Sequence, residues 1–513
     1  MTISSKLDFQ LAYKRTRFYH GERSFVKNPF IFTWIESNLE SWITNLVAKI
    51  DSEYLPHEAH ICLAPKPKWL LRKGSVVDLR DEVLLNAVIG AIYPQIWGFV
   101  GWSQGSIDMG HQLNPNHLDI EWIKNRLIGW RTWTDKSRDL LNQGYTHVVI
   151  GDITSFYDNI DLKLLASDIK SICADTALVD ILIKCLSRWA LPNGRGLPQG
   201  FSASDILAKC YLNSIDKRIA DFGQPYLRYV DDIRIFCRSH QEAKRTLIAL
   251  SDLLVHRGLA LHSGKTEIVS IAQAKEKFAG PIPLIDSLIK KVAETMHLDP
   301  YGTTLDMDRE FSARPDSVPP EIFEEAFKVY IIEKAIFDKT LFRFLLTRLG
   351  RVKSYYAILY CLRVLNEHPE ETAPVLKYFS AANLRKEDEE RLLEFLASED
   401  SVYEYQQYEI LKWLYEESRF PRKLIEISRA WYFNRNKPEW LRTYCAAILG
   451  DNGTSADLER IAEEYRRATS QIEKAVIATC IKNMEKSRRN SIYGNIQSDG
   501  DLIKRAVNVA KAG

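Results

Sequence analysis

The 513 residues carry 69 lysines and arginines against 67 aspartates and glutamates, a net charge of +2, and 46% of them are hydrophobic. That length and apolar content support two or three cored domains, and the near-balance of charge weighs against a broad basic surface gripping a long duplex. Eight cysteines without CxxC spacing argue against a disulfide framework or zinc site and for a reducing cytoplasm, and the polar N-terminus is unlike a signal peptide.

In chain order, residues 1–50 read as an N-terminal helical segment whose Lys and Arg in Tyr13–Arg23 suit solvated helix faces as well as nucleic acid. His57-Glu58-Ala59-His60 brings two imidazoles close, with no further ligands to complete a metal site. A basic stretch (Lys66, Lys68, Arg72, Lys73) precedes Val76–Asp81. The longest apolar region, Val83–Val100, is interrupted by Asn86, Pro94 and Gln95 and reads as a helix of a folded domain, with no membrane span. Trp122, Trp130 and Trp133 read as core. His147–Ile150 is a short β-rich run ending in Gly151-Asp152. Asp158-Asn159 looks like a turn or cap, and Asp161 starts a helix over Leu162–Lys170. Leu191–Ser204, with three glycines and two prolines, is a loop that opens an amphipathic helix bearing Ile206, Leu207, Cys210, Tyr211 and Ile215.

Leu227–Phe236 reads as strand, tight turn, strand, with Asp231 and Asp232 at the turn. Adjacent carboxylates repel, and a turn in a buried sheet offers them little water. A cation held between that pair and a third acid relieves the cost. Asp152, at the end of its own strand, can converge with them on one sheet edge. Two divalent cations there would clamp the attacking and leaving oxygens of a phosphoryl transfer, and Mg²⁺, which takes hard oxygen ligands, suits the set. Beyond the pair come a helix over Gln241–His256, the segment Gly258–Thr266 ending near Lys265, and a β-rich run over Glu267–Ile271.

This order of parts resembles the fingers and palm of reverse transcriptases, over roughly residues 55 to 275. Asp152–Tyr157 looks like motif A, Gly196–Ser204 like motif B, Tyr229–Asp232 like motif C, Leu259–Thr266 like motif D, and Val76–Asp81 like the fingers segment. The resemblance implies that Asp152 and Asp231 bind two Mg²⁺ ions (or Mn²⁺), helped by the Ile153 carbonyl, with Asp232 in a secondary role. It implies that Lys265 protonates the leaving pyrophosphate, and that Tyr157 blocks a 2′-hydroxyl and so favours dNTPs. Gln199 and Gly200 would border the nascent base pair, and Arg72, with Lys73 or Lys66, would hold the triphosphate. Phe201-Ser202 stands where many members have Ser-Pro, and NAxxH, VTG, HNH and RNase H signatures are absent from the sequence.

After Gly280-Pro281-Ile282-Pro283, residues 281–320 read as a linker, and 321–513 turn helical. Expected helices include Glu321–Phe337, Leu341–Leu349, Tyr355–Leu365, Glu387–Ala397, Tyr403–Glu417, Lys423–Tyr432, Glu439–Leu449, Ala456–Ala468, Ser470–Met484 and Asp501–Val509. Their loose pairing suggests a HEAT-like repeat, with an irregular bundle as the alternative. An α+β fold of fingers and palm (51–280) without an evident thumb, followed by an all-α half, resembles the abortive-infection reverse transcriptases, in particular a prophage-borne branch. That resemblance implies antiphage defence by template-independent, protein-primed synthesis of single-stranded DNA on a tyrosine. It also implies a homo-oligomer and a phage-protein trigger. Tyr13 and Tyr19 are the first candidates for the primer, with Tyr355, Tyr403 and Tyr444 as rivals. A templated, primer-extending enzyme and a non-enzymatic phage sensor remain the alternatives.

Overall fold

The computed structural model describes residues 2–52, 54–296, 298 and 304–512. It divides into two compact units: Met1–Lys27, Glu40–Cys62 and Lys73–Ala279 form one, and Asn28–Leu39, Leu63–Arg72 and Gly280–Gly513 the other.

A hairpin of β1 (His60–Lys66) and β2 (Leu70–Val76) forms a two-stranded sheet. The first unit is organised by an antiparallel sheet of β3 (His147–Asp152), β4 (Tyr226–Tyr229), β5 (Asp232–Cys237) and β6 (Glu267–Ser270), in the order β4-β5-β3-β6. Both faces of β3 are covered, which is why its apolar residues run on without alternation. Val148, Phe236, Leu227 and Val269 pack with Trp133 and Leu141 of the helix Arg126–Leu141 and with Ala274 and Phe278 of the helix Ile271–Ala279. The helix His240–His256 packs on β3 and β5, with Leu250 and Leu254 fully buried.

The apolar region expected over Val83–Val100 is a helix from Leu79 to Val100, capped by the Asp78 carboxylate, which accepts from the Arg80 N–H. By length and composition it could cross a membrane, yet Val83, Leu84, Ile89, Ile92 and Ile96 are buried inside the unit. It packs against the helices Phe9–Arg23 and Ser202–Ala220.

In the second unit, the helices Lys339–Arg351, Thr372–Ala382, Glu404–Glu416, Glu439–Asn452, Gln471–Cys480 and Asp501–Ala512 pack each on the next in a row. Their starts are 30 to 35 residues apart. The helices Ile358–Glu367, Lys386–Ala397 and Arg422–Tyr432 alternate with them and pack on one another likewise. Ion pairs on buried carboxylates join successive pairs of helices: Arg343 with Glu371, Arg419 with Glu389, Arg429 with Asp457.

Two expectations are corrected by the structure. Residues 281–320 are not a bare linker but hold the helices Ile282–Thr295 and Thr304–Ala313. Pro281 and Pro283 occupy the helix start, where a missing N–H costs nothing. The helix Thr372–Ala382 likewise carries a proline, Pro374, in its first turn. The helix expected over Glu321–Phe337 ends early: its α-helical part is Glu321–Phe327, and a wide π turn over Lys328–Ile332 closes it.

Candidate active site

The sheet register builds the site. Asp152 lies directly opposite Asp232 across β3 and β5, and Tyr229 opposite Asp232 across β4 and β5. The turn is therefore Val230-Asp231, one residue earlier than a turn at the two acids, and Asp232 begins a strand. Val230 has φ +60°, a region that a β-branched residue rarely enters. It is held there from two sides. A Cβ on Gly110 would lie 2.5 Å from the Val230 nitrogen, so only glycine lets that backbone come so close. The Arg228 guanidinium donates to the Val230 carbonyl at 2.8 Å.

The end of β3 is tied to the turn and to the segment before β6. The Ile153 N–H donates to the Asp231 carbonyl (3.2 Å), the Thr154 N–H to Ala260 (2.8 Å) and the His262 N–H to the Asp152 carbonyl (2.7 Å). Ile153 forms an antiparallel bridge with Leu261 without exchanging hydrogen bonds with it, so its own N–H and C=O face the Asp231 side. The same pairing delivers Lys265, whose Nζ sits 2.9 Å from the Asp152 Oδ1.

Like charges opposite one another across a sheet are unfavourable. Burial, and then the charges of Asp231 and Asp152, push the Asp232 carboxyl up to about 6. The hydrogen bond to Asp152 raises the Lys265 ammonium above its usual value. A crowded set of hard carboxylate oxygens, with Lys265 against Asp152, fits a divalent cation such as Mg²⁺ or Mn²⁺. Asp152 and Asp231 would hold it, with the Ile153 carbonyl and Asp232 beside them. Bound there, such ions supply charge neutralisation of a transferring phosphoryl group.

Tyr157 stands at the start of the short helix Phe156–Asn159. Its carbonyl accepts from the Leu197 N–H (2.9 Å), and the Ile160 carbonyl accepts from Gly196 (2.9 Å), which brings the glycine loop against it. The Tyr157 hydroxyl donates to Asp205 Oδ1 at 2.6 Å. Gln199 accepts at its carbonyl from the Ser75 N–H (3.3 Å), and its amide lies 3.5 Å from Asp158 Oδ1. Gly200, at φ +102°, packs against Phe25 and the Arg23 carbonyl, leaving no room for a Cβ. Lys73 is 3.8 Å from Asp158. Arg72, exposed on β2, and Lys66 on β1 fall outside the unit that holds the aspartates. Asp161 caps the helix Leu162–Ile172 by accepting from the Lys163 and Leu164 N–H groups.

Tyr13 and Tyr19 are not on a free leading arm. Both are 3% exposed, on the inner side of the helix Phe9–Arg23. Tyr13 packs edge-on to Trp42, and the Tyr19 hydroxyl accepts from the Ile123 N–H (3.0 Å) while burial pushes it up to about 12. Neither hydroxyl is placed to serve as a primer. Of the three tryptophans read as core, Trp122 and Trp133 are buried, whereas Trp130 is 46% exposed and stands edge-on to Tyr229 at 5.4 Å.

Two charged clusters escaped the sequence reading. Beneath the turn, Arg228 pairs with Asp216 (2.6 Å) and Asp108 (2.9 Å), and Lys209 with Asp108 (2.5 Å), all nearly sealed from water. The visible signal was an Asp and a Lys seven apart on an otherwise apolar helix face, with an Arg just before the turn; nothing in the sequence said that they meet. In the fingers, His57, Asp78 and Asp81 bring their ligand atoms within 4.8 Å of one another. Their charge is already answered, because Arg80 grips Asp78 at 2.7 Å while Tyr54 and His57 donate to Asp81.

Residues 110–298 match the family model described as reverse transcriptase (RNA-dependent DNA polymerase). The chain thus carries a reverse transcriptase domain, the domain of a nucleotidyltransferase. Protein YkfC of Escherichia coli (strain K12) is 23% identical over 177 residues, 33% of this chain and 42% of that protein. This chain therefore matches less than half the length of that relative. Among solved structures, telomerase from Candida albicans in complex with a fragment of telomeric RNA is 13% identical, with 75% of this chain and 70% of that one covered and a TM-score of 0.33. Apo telomerase from Candida tropicalis is 12% identical, with 92% and 73% covered and a TM-score of 0.34.

Proposed function

We propose that the chain is an abortive-infection antiphage polymerase that makes DNA from dNTPs with Mg²⁺, without a template, starting from a tyrosine hydroxyl of a protein. The observation that carries the polymerase reading is the meeting of Asp152, Asp231, Asp232 and Lys265 at one sheet edge. Lys265, with its side chain 61% exposed, has room to turn from Asp152 and give its proton to the departing pyrophosphate. The Tyr157 ring fills the volume below the incoming sugar. Lys73, 3.8 Å from Asp158, is the fingers cation that serves the triphosphate, and Gln199 and Gly200 line the nascent pair.

The two rows of paired helices support the HEAT-like reading and, with it, the abortive-infection branch. That half is the surface we assign to self-association into a homo-oligomer and to a phage-protein trigger. Eight buried free thiols support a reducing cytoplasm. The description of the matched family, an RNA-dependent DNA polymerase, favours a second reading, templated extension of a primer.

One experiment separates them. Purified protein is incubated with labelled dNTPs and Mg²⁺, with and without a primed RNA template, then denatured and treated with protease. Label that appears without template, stays on the denatured protein and is freed by protease is the expected result. Product only on the primed template establishes the second reading, and no product in either arm overturns both. A milder change tests the proton donor: Lys265→Met should lower the incorporation rate about 10²-fold or more, with dNTP affinity retained. An unaltered rate in that variant would remove Lys265 from the reaction.

A further inference from the structure

Tyr157 is not a ring resting on its own packing. Its hydroxyl donates to Asp205 Oδ1 at 2.6 Å, and Asp205 Oδ2 is ion-paired with Arg23 and faces the Nδ1 of His111 at 3.6 Å. Four segments meet at one carboxylate: the helix Phe9–Arg23, the loop at His111, the turn after β3, and the helix Ser202–Ala220. The Arg23 and Asp205 side chains are 8% and 12% exposed, so their pairing is largely screened from solvent. Burial, and then the neighbouring cations, hold the His111 imidazole well below its usual value, so the charge paired directly with Asp205 is that of Arg23. The backbone at His111 sits at φ +42°, a conformation kept only where the surroundings impose it.

We propose that Asp205, fixed by Arg23, is a positioning residue that clamps the Tyr157 ring and so sets discrimination between deoxyribo- and ribonucleotides. The proposal rests on the reading of Tyr157 as the sugar gate. An unclamped tyrosine can swing about χ1 and χ2 and let a 2′-hydroxyl past at small cost. With its hydroxyl bound to a buried carboxylate, that motion breaks a charge-assisted hydrogen bond and leaves Asp205 short of a donor. The ring then excludes the extra oxygen by being unable to yield.

The test compares the efficiency of ATP and dATP incorporation by the full chain, with thermal unfolding as the control for folding. Tyr157→Val removes the gate and should raise the ATP/dATP ratio on the order of a hundredfold. Tyr157→Phe, which keeps the ring and loses only the hydroxyl, should raise it about tenfold, as should Asp205→Ala. Their combination should do no more than either alone, because both break one interaction. Asp205→Asn, which still accepts a hydrogen bond, should stay near the wild-type ratio. If Tyr157→Val raises the ratio while Tyr157→Phe and Asp205→Ala leave it unchanged, the gate stands and the clamp is wrong. If Tyr157→Val itself leaves the ratio unchanged, the gate reading falls and takes the clamp with it. Should Asp205→Ala fail to fold, Tyr157→Phe decides alone.

Discussion

Asp231→Ala is expected to abolish nucleotide incorporation, a loss on the order of 10³-fold, while the protein stays folded. Asp231 lies in the two-residue turn, tied to β3 through its carbonyl by the Ile153 N–H, a bond that alanine keeps. The charge of its side chain is one of those pushing Asp232 up to about 6, and it also acts favourably on Lys265. Removing it relieves the first and gives up the second, so the thermal midpoint should stay near the wild-type value. Asp152→Ala should be equally inactive and without any gain in stability, because Asp152 is also the partner of Lys265. The pairing of lost activity with unreduced stability is what distinguishes a catalytic carboxylate from a structural one. Incorporation near the wild-type rate by either variant would falsify the assignment.

How far the sequence reached can be read from individual residues. The three acids and Lys265 were legible because each belongs to a short motif whose spacing survives without knowledge of the fold. The turn was misplaced by one residue because Val-Asp-Asp invites the two acids to sit at the tip. The register instead puts β-branched Val230 there, at φ +60°. That conformation is possible only because Gly110, some 120 residues earlier in the chain, has no side chain. No local pattern carries such a dependence. The same holds for Asp205, which reads as one more charge on a helix until Arg23 and Tyr157 are seen on it. The proline-rich 281–320 stretch was misread for the opposite reason. A strong local signal, proline as breaker, lost to position within the first turn.

Arg228 is where fold and site are hardest to separate, and Arg228→Met should show it. The guanidinium binds Asp216 through two nitrogens, reaches Asp108, and still donates to the Val230 carbonyl. Tyr226 also donates to Asp216, at 2.9 Å, but a neutral hydroxyl does not answer a charge. Methionine in place of Arg228 therefore leaves Asp216 buried and uncompensated, a loss of about 3–5 kcal/mol. The revealing variant is Arg228→Lys. It keeps a positive charge in the cluster and gives up the forked geometry, so the ammonium cannot serve Asp216, Asp108 and the Val230 carbonyl together. Freed of that bond, the strained turn should relax and carry Asp231 away from Asp152. A displacement near 1 Å costs about 10²-fold in rate, and the Mg²⁺ concentration needed for half-maximal incorporation should rise with it. A structural role alone would lower the melting temperature without moving that metal midpoint. Arg228→Lys protein that is folded at the assay temperature, with wild-type rate and metal midpoint, would show that the turn holds its shape without the arginine.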